Sequence, residues 1–144
     1  MIIAIDGPAA AGKGTLAKAL AVYLDFSYLE TGLLYRAIAK KILNEKGNVN
    51  DIAFAKLIAK NLKPGDLEID GLRAETIGQA ASKISSILGV RKELEQFQRN
   101  FANNPPNSKS GAILDGRDIG TVICPNANIK IWTCFTCIPS ITMT

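Results

Sequence analysis

Histidine is absent from the chain. Ser–His and Cys–His nucleophilic pairs are therefore excluded, and so is a zinc site built on imidazole. Cysteine is scarce, at Cys124, Cys134 and Cys137. Three thiols cannot all pair within one chain, which argues against a disulfide framework. Cys134 and Cys137 have the Cys-x-x-Cys spacing of redox and metal motifs. With Cys124 as the remaining thiol and no imidazole, a four-ligand metal set is not in evidence, and chance spacing in an apolar tail is the favoured reading. No apolar run is long enough to span a bilayer. The first residues lack the basic region, apolar stretch and small-residue cleavage site of a secretory signal. Those two absences give the expectation of a cytoplasmic protein without a membrane partner. Aromatics make up 6% of the residues, and the net charge of +4 is scattered. The basic stripe with interleaved aromatics that reads single-stranded nucleic acid is missing, so no nucleic-acid partner is expected. Internal repeats and low-complexity tracts are also missing. What remains is a balance of 47% apolar and 21% charged residues over 144 positions, enough for one domain with a modest core.

The informative stretch is residues 7–15, reading Gly-Pro-Ala-Ala-Ala-Gly-Lys-Gly-Thr. The five residues up to Ile5 and the following Asp6 are short, apolar and β-branched enough for a buried strand. After the stretch, Leu16, Ala17, Ala19, Leu20 and Leu24 recur at helical spacing, with Lys18 and Tyr23 between them. A glycine-rich turn between a strand and a helix is the setting in which a phosphate-loop match is credible. Its glycines let several backbone N–H groups face one point, and the helix N-terminus adds partial positive charge. Lys13 would place an ammonium on a nucleotide's outer phosphates. A turn that merely joins strand to helix seldom carries a lysine followed by Gly-Thr. The commoner pattern has Ser or Thr directly after the lysine, whereas here Gly14 intervenes and the hydroxyl arrives at Thr15.

Further along, residues 25–29 suggest a second strand ending at Glu30 and Thr31. Leu33, Leu34, Ala37, Ile38, Lys41 and Ile42 suggest a helix with Thr31 as its N-cap. Arg36 lies on a different face of that helix, and taken alone it reads as a solvated surface charge. Residues 52–62 suggest a short helix, residues 67–72 a small hairpin about an Asp-Gly turn, and residues 76–87 an alanine-rich helix containing Ser82. Gly89 reads as a break, after which Val90, Leu94, Phe97 and Phe101 mark an amphipathic helix with Arg91 near its start. Residues 103–110 read as a loop. Ala112, Ile113 and Leu114 form a short apolar strand ending in Asp115-Gly116-Arg117-Asp118. A carboxylate at the end of a buried strand is the usual partner of a phosphate loop, so a functional reading is preferred to a solvated turn. Residues 119–125 read as a connector and residues 128–132 as the last strand.

Taken together, residues 5–15, the Glu-Thr-Gly-Leu-Leu-Tyr-Arg run ending at Arg36, Ala80-Ala81-Ser82 with Val90-Arg91, and Asp115-Gly-Arg-Asp-Ile-Gly-Thr121 resemble the cytidylate kinases, the bacterial CMP kinase branch of the nucleoside monophosphate kinases. The resemblance covers about residues 1–131, and the Gly-Lys-Gly-Thr variant is itself typical of these kinases. It implies an α/β fold: a P-loop NTPase-type parallel sheet with helices on both faces and a helical acceptor-binding insertion at about residues 33–110. Residues 1–131 would form the kinase core. The implied reaction is ATP-dependent, Mg2+-assisted phosphorylation of CMP, and of dCMP as well, by a monomer. Gly7, Pro8, Ala9, Ala10, Ala11, Gly12, Lys13, Gly14 and Thr15 would hold ATP. Thr31, Arg36 and Arg117 would hold the acceptor phosphate, Ser82, Arg91 and Asp118 would read cytosine, and Asp115 would order the acceptor site. Lys13, Arg36, Asp115 and Arg117 would be the catalytic group, with no protein-only metal site.

Two departures stand out. Glu30 replaces the commoner aspartate. After Ile131, the uncharged residues 132–144 no longer resemble the family, which continues with an arginine-rich lid, a ribose-contacting segment and closing helices. The expectation is a fold incomplete at its C-terminal side, with an aberrant tail, slowed transfer and an uncovered sheet face. The alternatives are a nucleotide-binding fragment without turnover and a P-loop kinase for another small acceptor such as AMP or shikimate.

Overall fold

The computed structural model describes residues 1–135 and 140–143. It divides into two compact units: residues 1–31 with 97–144, and residues 32–96.

The first unit is built on a five-stranded mixed sheet. Strands β1 (Ile2–Asp6), β2 (Ser27–Glu30), β3 (Ala112–Gly116), β4 (Ile129–Trp132) and β5 (Ser140–Met143) lie in the order β2-β3-β1-β4-β5. The first four pair in parallel, as the resemblance implied. β5 was not foreseen. It pairs antiparallel to β4 at the sheet edge, so residues 128–132 are not the last strand. Alternation along β1 sends Ile3 and Ile5 to one face, where they meet Ile113, Ile131 and helix α1 (Lys13–Leu24) through Ala17, Leu16, Leu20, Ala21 and Leu24. Ala19, expected on this stripe, is exposed, and its place is taken by Ala21. A five-residue π turn at Ile119–Ile123 stands where a plain connector was expected, and it contacts β1 and β3.

The second unit is helical. Helix α2 (Gly32–Asn44) buries Leu34, Ala37, Ile38 and Ile42, the face that its sequence period marks. It packs on α3 (Ile52–Lys60) and α4 (Glu75–Ser85), the latter burying Ile77, Ala80, Ala81 and Ile84. Asp51 caps α3, its carboxylate accepting the Phe54 N–H at 3.0 Å. The expected hairpin at residues 67–72 is instead a 3-10 turn, Pro64–Glu68, followed by a turn. Pro64 starts it, and Asp66 both accepts the Lys63 N–H and pairs with Lys41 on α2 at 2.8 Å. Gly89 does not interrupt a helix, because α5 (Leu88–Asn103) begins one residue before it.

Cys124 is free and buried, whereas Cys134 is disulfide-bonded, which the sequence reading did not expect. Cys137, the other half of the Cys-x-x-Cys spacing, lies outside the described residues. Among the described residues, no helix is long and apolar enough to cross a membrane.

Candidate functional site

The phosphate-loop stretch leaves β1 at Asp6 and enters α1 at Lys13. Gly7 is buried at φ 150°, and its N–H donates to the Gly116 carbonyl at 3.3 Å. The loop then turns through positive φ at Ala10 (59°) and at Gly12 (79°), the N-cap of α1. Ala9, Ala10, Gly12 and Thr15 are exposed, and Pro8, Ala11, Lys13 and Gly14 are half-buried. The first turn of α1 carries no acidic side chain, so nothing on the helix itself neutralises its positive end. The Lys13 ammonium donates to the Pro8 carbonyl at 2.7 Å, which folds it over the loop and leaves its two other protons for acceptors.

Asp115 sits beside this helix start. A Cβ built on Gly14 would lie 3.6 Å from the Tyr28 hydroxyl and 3.7 Å from Asp115 Oδ2. Both are ordinary van der Waals distances, so the Tyr28 and Asp115 side chains lie against the first turn of α1 at Gly14. The Tyr28 hydroxyl donates to Asp115 Oδ2 at 3.0 Å, and the Thr31 hydroxyl donates to the Asp115 carbonyl at 2.7 Å. The Thr31 N–H binds the same carbonyl at 3.1 Å, so Thr31 is tied to β3. Burial pushes the Asp115 carboxyl above its ordinary value. The Tyr28 hydrogen bond opposes this, Glu30 adds to it, and Lys13 and Lys18 pull it back.

A raised carboxyl favours the folded state while protonated and loses that contribution as pH rises through the folded-state value. Asp115→Asn is therefore expected to stabilise the fold at pH 7. The gain should vanish below the unfolded carboxyl value of 3.8, where the parent is protonated in both states. Urea unfolding at pH 7 and pH 3.5 tests both halves, and a variant no more stable than the parent at pH 7 refutes the argument.

Arg117 is exposed, and Asp118, half-buried, is the N-cap of the π turn. Lys13, Gly14, Thr31 and Asp115 are thus gathered at the C-terminal ends of β1, β2 and β3. Sequence reasoning missed Asp6 and Arg99. Asp6, 6% exposed, accepts the Ile119 N–H at 2.8 Å and the Gly120 N–H at 2.7 Å. Arg99 donates to the Ile123 and Val122 carbonyls at 3.2 and 3.0 Å. An acid ending a buried strand was the available signal for Asp6. Arg99 offered none, because the segment it bonds read as a connector. The Cys124 thiol lies close by, and burial pushes it up, which keeps it an inert thiol.

In the second unit, Arg36 is not a solvated charge. Its guanidinium donates to the Leu72 carbonyl at 2.8 Å and the Ala74 carbonyl at 3.4 Å. It also lies across Gly78 of α4, where an added Cβ would come within 2.9 Å of it. Ser82 is exposed four residues further along α4, on the face that carries Gly78. Arg91 is exposed in the first turn of α5.

The family model for cytidylate kinase matches residues 3–136. The chain belongs to the cytidylate kinase family. It is 56% identical over 131 residues to a cytidylate kinase of Paramagnetospirillum magneticum, covering 91% of this chain and 62% of that protein. Against the cytidylate kinases of Rhodopseudomonas palustris and Nitrobacter winogradskyi the identities are 52% and 53% over 132 residues, 92% of this chain and 60% of each relative. The chain thus spans about 60% of the length of these relatives.

Proposed function

We propose that this chain binds ATP on residues 7–15 and transfers its terminal phosphoryl group to CMP. The observation that carries the reading is the Lys13 ammonium folded over a glycine loop at a helix start whose first turn carries no acidic side chain, with the buried Asp115 beside it. Phosphoryl transfer needs two polyanions brought into line with their charge neutralised, and no covalent intermediate on the protein. Lys13 neutralises the donor phosphates. Thr31, Arg36 and Arg117 hold the acceptor phosphate, and Ser82, Arg91 and Asp118 complement the amino donor and ring acceptors of cytosine. In this reading residues 33–110 serve as the acceptor-binding insertion, and dCMP is a second acceptor.

Magnesium fits as an ion carried by the nucleotide. Mg2+ keeps several of its waters and takes most of its other oxygens from substrate phosphates, so it needs only one or two protein oxygens. The Thr15 hydroxyl and the Asp115 carboxylate would hold it there, and it would supply further neutralisation of phosphate charge.

The test is ADP release with CMP, dCMP, AMP and shikimate as acceptors, alongside calorimetric titration of each nucleotide. CMP is expected to be the fastest acceptor. Arg36→Ala and Arg117→Ala should each weaken CMP binding about 10- to 100-fold with ATP binding kept. Faster turnover with AMP or shikimate reassigns the acceptor. ATP binding without product identifies a nucleotide-binding module instead.

A further inference from the structure

The segment bearing Arg117 and Asp118 ends in a π turn, a rare geometry that persists in short pieces where something outside it compensates. Its own bonds run from the Ile123 N–H to the Asp118 carbonyl at 3.1 Å and from the Cys124 N–H to the Ile119 carbonyl at 2.7 Å. The compensation is electrostatic and comes from both ends. At the amino end the Ile119 and Gly120 N–H groups have no partner within the turn, and each is taken by one oxygen of the Asp6 carboxylate, at 2.8 and 2.7 Å. At the carboxyl end the Arg99 guanidinium takes the Ile123 and Val122 carbonyls, at 3.2 and 3.0 Å. An anion on the N–H end and a cation on the carbonyl end both match the dipole of the turn.

This clamp has a definite output. The Asp118 carbonyl receives the Val122 N–H at 2.9 Å as well as that of Ile123, so the backbone from which the Arg117 and Asp118 side chains spring is tied down. There is little slack in it, since a Cβ on Gly120 would lie 3.2 Å from Asp6 Oδ2. The Asp6 carbonyl meanwhile accepts the Thr133 N–H at 2.8 Å, which anchors the clamp in the sheet. The Asp6 carboxylate is spent on the π turn and makes no bond to the phosphate loop that follows it.

We propose that Asp6 and Arg99 are positioning residues for the acceptor site: they clamp the Ile119–Ile123 turn so that Arg117 and Asp118 are preset for CMP. The proposal rests on the reading that Arg117 and Asp118 bind CMP. Its test uses the full chain with three variants, Asp6→Asn, Arg99→Met and Arg117→Ala, titrated separately with CMP and with ATP below their melting temperatures. Asp6→Asn keeps shape but turns one acceptor into a donor facing an N–H. Asp6→Asn and Arg99→Met are each expected to weaken CMP about tenfold and to leave ATP within about twofold. A purely structural role would move both ligands together, so equal weakening of CMP and ATP overturns the proposal. If CMP affinity holds in Asp6→Asn and Arg99→Met while Arg117→Ala loses it, the proposal is overturned and the functional reading survives. If Arg117→Ala itself keeps CMP affinity, the functional reading fails first and takes the clamp's role with it. Should Asp6→Asn fail to fold, Arg99→Met, altering a half-buried side chain at the opposite end of the turn, decides alone.

Discussion

Lys13→Met is expected to weaken ATP binding about 10- to 100-fold, the size of one to two hydrogen bonds from a charged donor. Where turnover is measurable, the loss should reach about 100- to 1,000-fold, because charge on the transferred group grows toward the transition state. Lys13 is the first residue of α1, and its ammonium already lies over the loop on the Pro8 carbonyl at 2.7 Å. Binding a triphosphate therefore requires no large search by that side chain. The cost of exchanging a neutral carbonyl partner for an anionic one is small beside the gain. Methionine keeps the aliphatic stem and the helix propensity, so the fold should be retained and the melting temperature shifted by only a few degrees. CMP binding should stay within about twofold, since no proposed acceptor contact is removed. Calorimetry with a non-hydrolysable ATP analogue, paired with a thermal melt, separates these effects. An unchanged ATP affinity in a folded Lys13→Met variant would mean that residues 7–15 merely join strand to helix.

How much of this was legible beforehand depends on whether a feature is local. β1, α1 and the loop between them follow from runs of fewer than 25 residues, and the structure returns them within a residue or two. The same holds for α2, whose buried Leu34, Ala37, Ile38 and Ile42 are an uninterrupted helical period. The misses share a different cause. At residues 67–72 an Asp-Gly pair looked like a hairpin turn, but Asp66 is captured by Lys41 on another element and the chain winds into a 3-10 turn instead. Residues 119–125 carry no period that announces a π turn, because what stabilises it, Asp6 and Arg99, stands 113 and 24 positions away. β5 was overlooked because residues 140–143 look like an uncharged tail until β4 is there to pair with them.

The site divides along the same line. The loop, Lys13 and the strand-end Asp115 are legible because their chemistry is written in adjacent residues. Arg36 was not, since its own helix shows it on a polar face. What marks it is the Leu72 carbonyl and the bare face of Gly78, both supplied by other segments. Resemblance to a family named the residue, but only packing gives the reason that it is held.

Gly7→Ala is expected to cost about 3–5 kcal/mol, enough to unfold much of a domain of ordinary stability. Two separate penalties combine. At φ 150° an L side chain is strained, at about 1–3 kcal/mol. The added Cβ would also lie 2.4 Å from both the carbonyl oxygen and the hydroxyl of Thr133. Thr133 has little room to retreat. It is 4% exposed, and its N–H and hydroxyl are bound to the Asp6 carbonyl at 2.8 and 3.3 Å. Relief of the clash therefore breaks the junction that sets the exit of β1 into the loop. Gly12→Ala is the control. Gly12 also has positive φ, 79°, but nothing lies within 4 Å of its Cβ position. Strain alone acts there, at about 1–2 kcal/mol. Urea unfolding of the two variants should separate them by about 2 kcal/mol or more. Equal losses would show that backbone strain rather than the Thr133 contact governs Gly7. Both glycines belong to one motif and look equivalent in the sequence, so a difference between them isolates what tertiary packing adds to the loop.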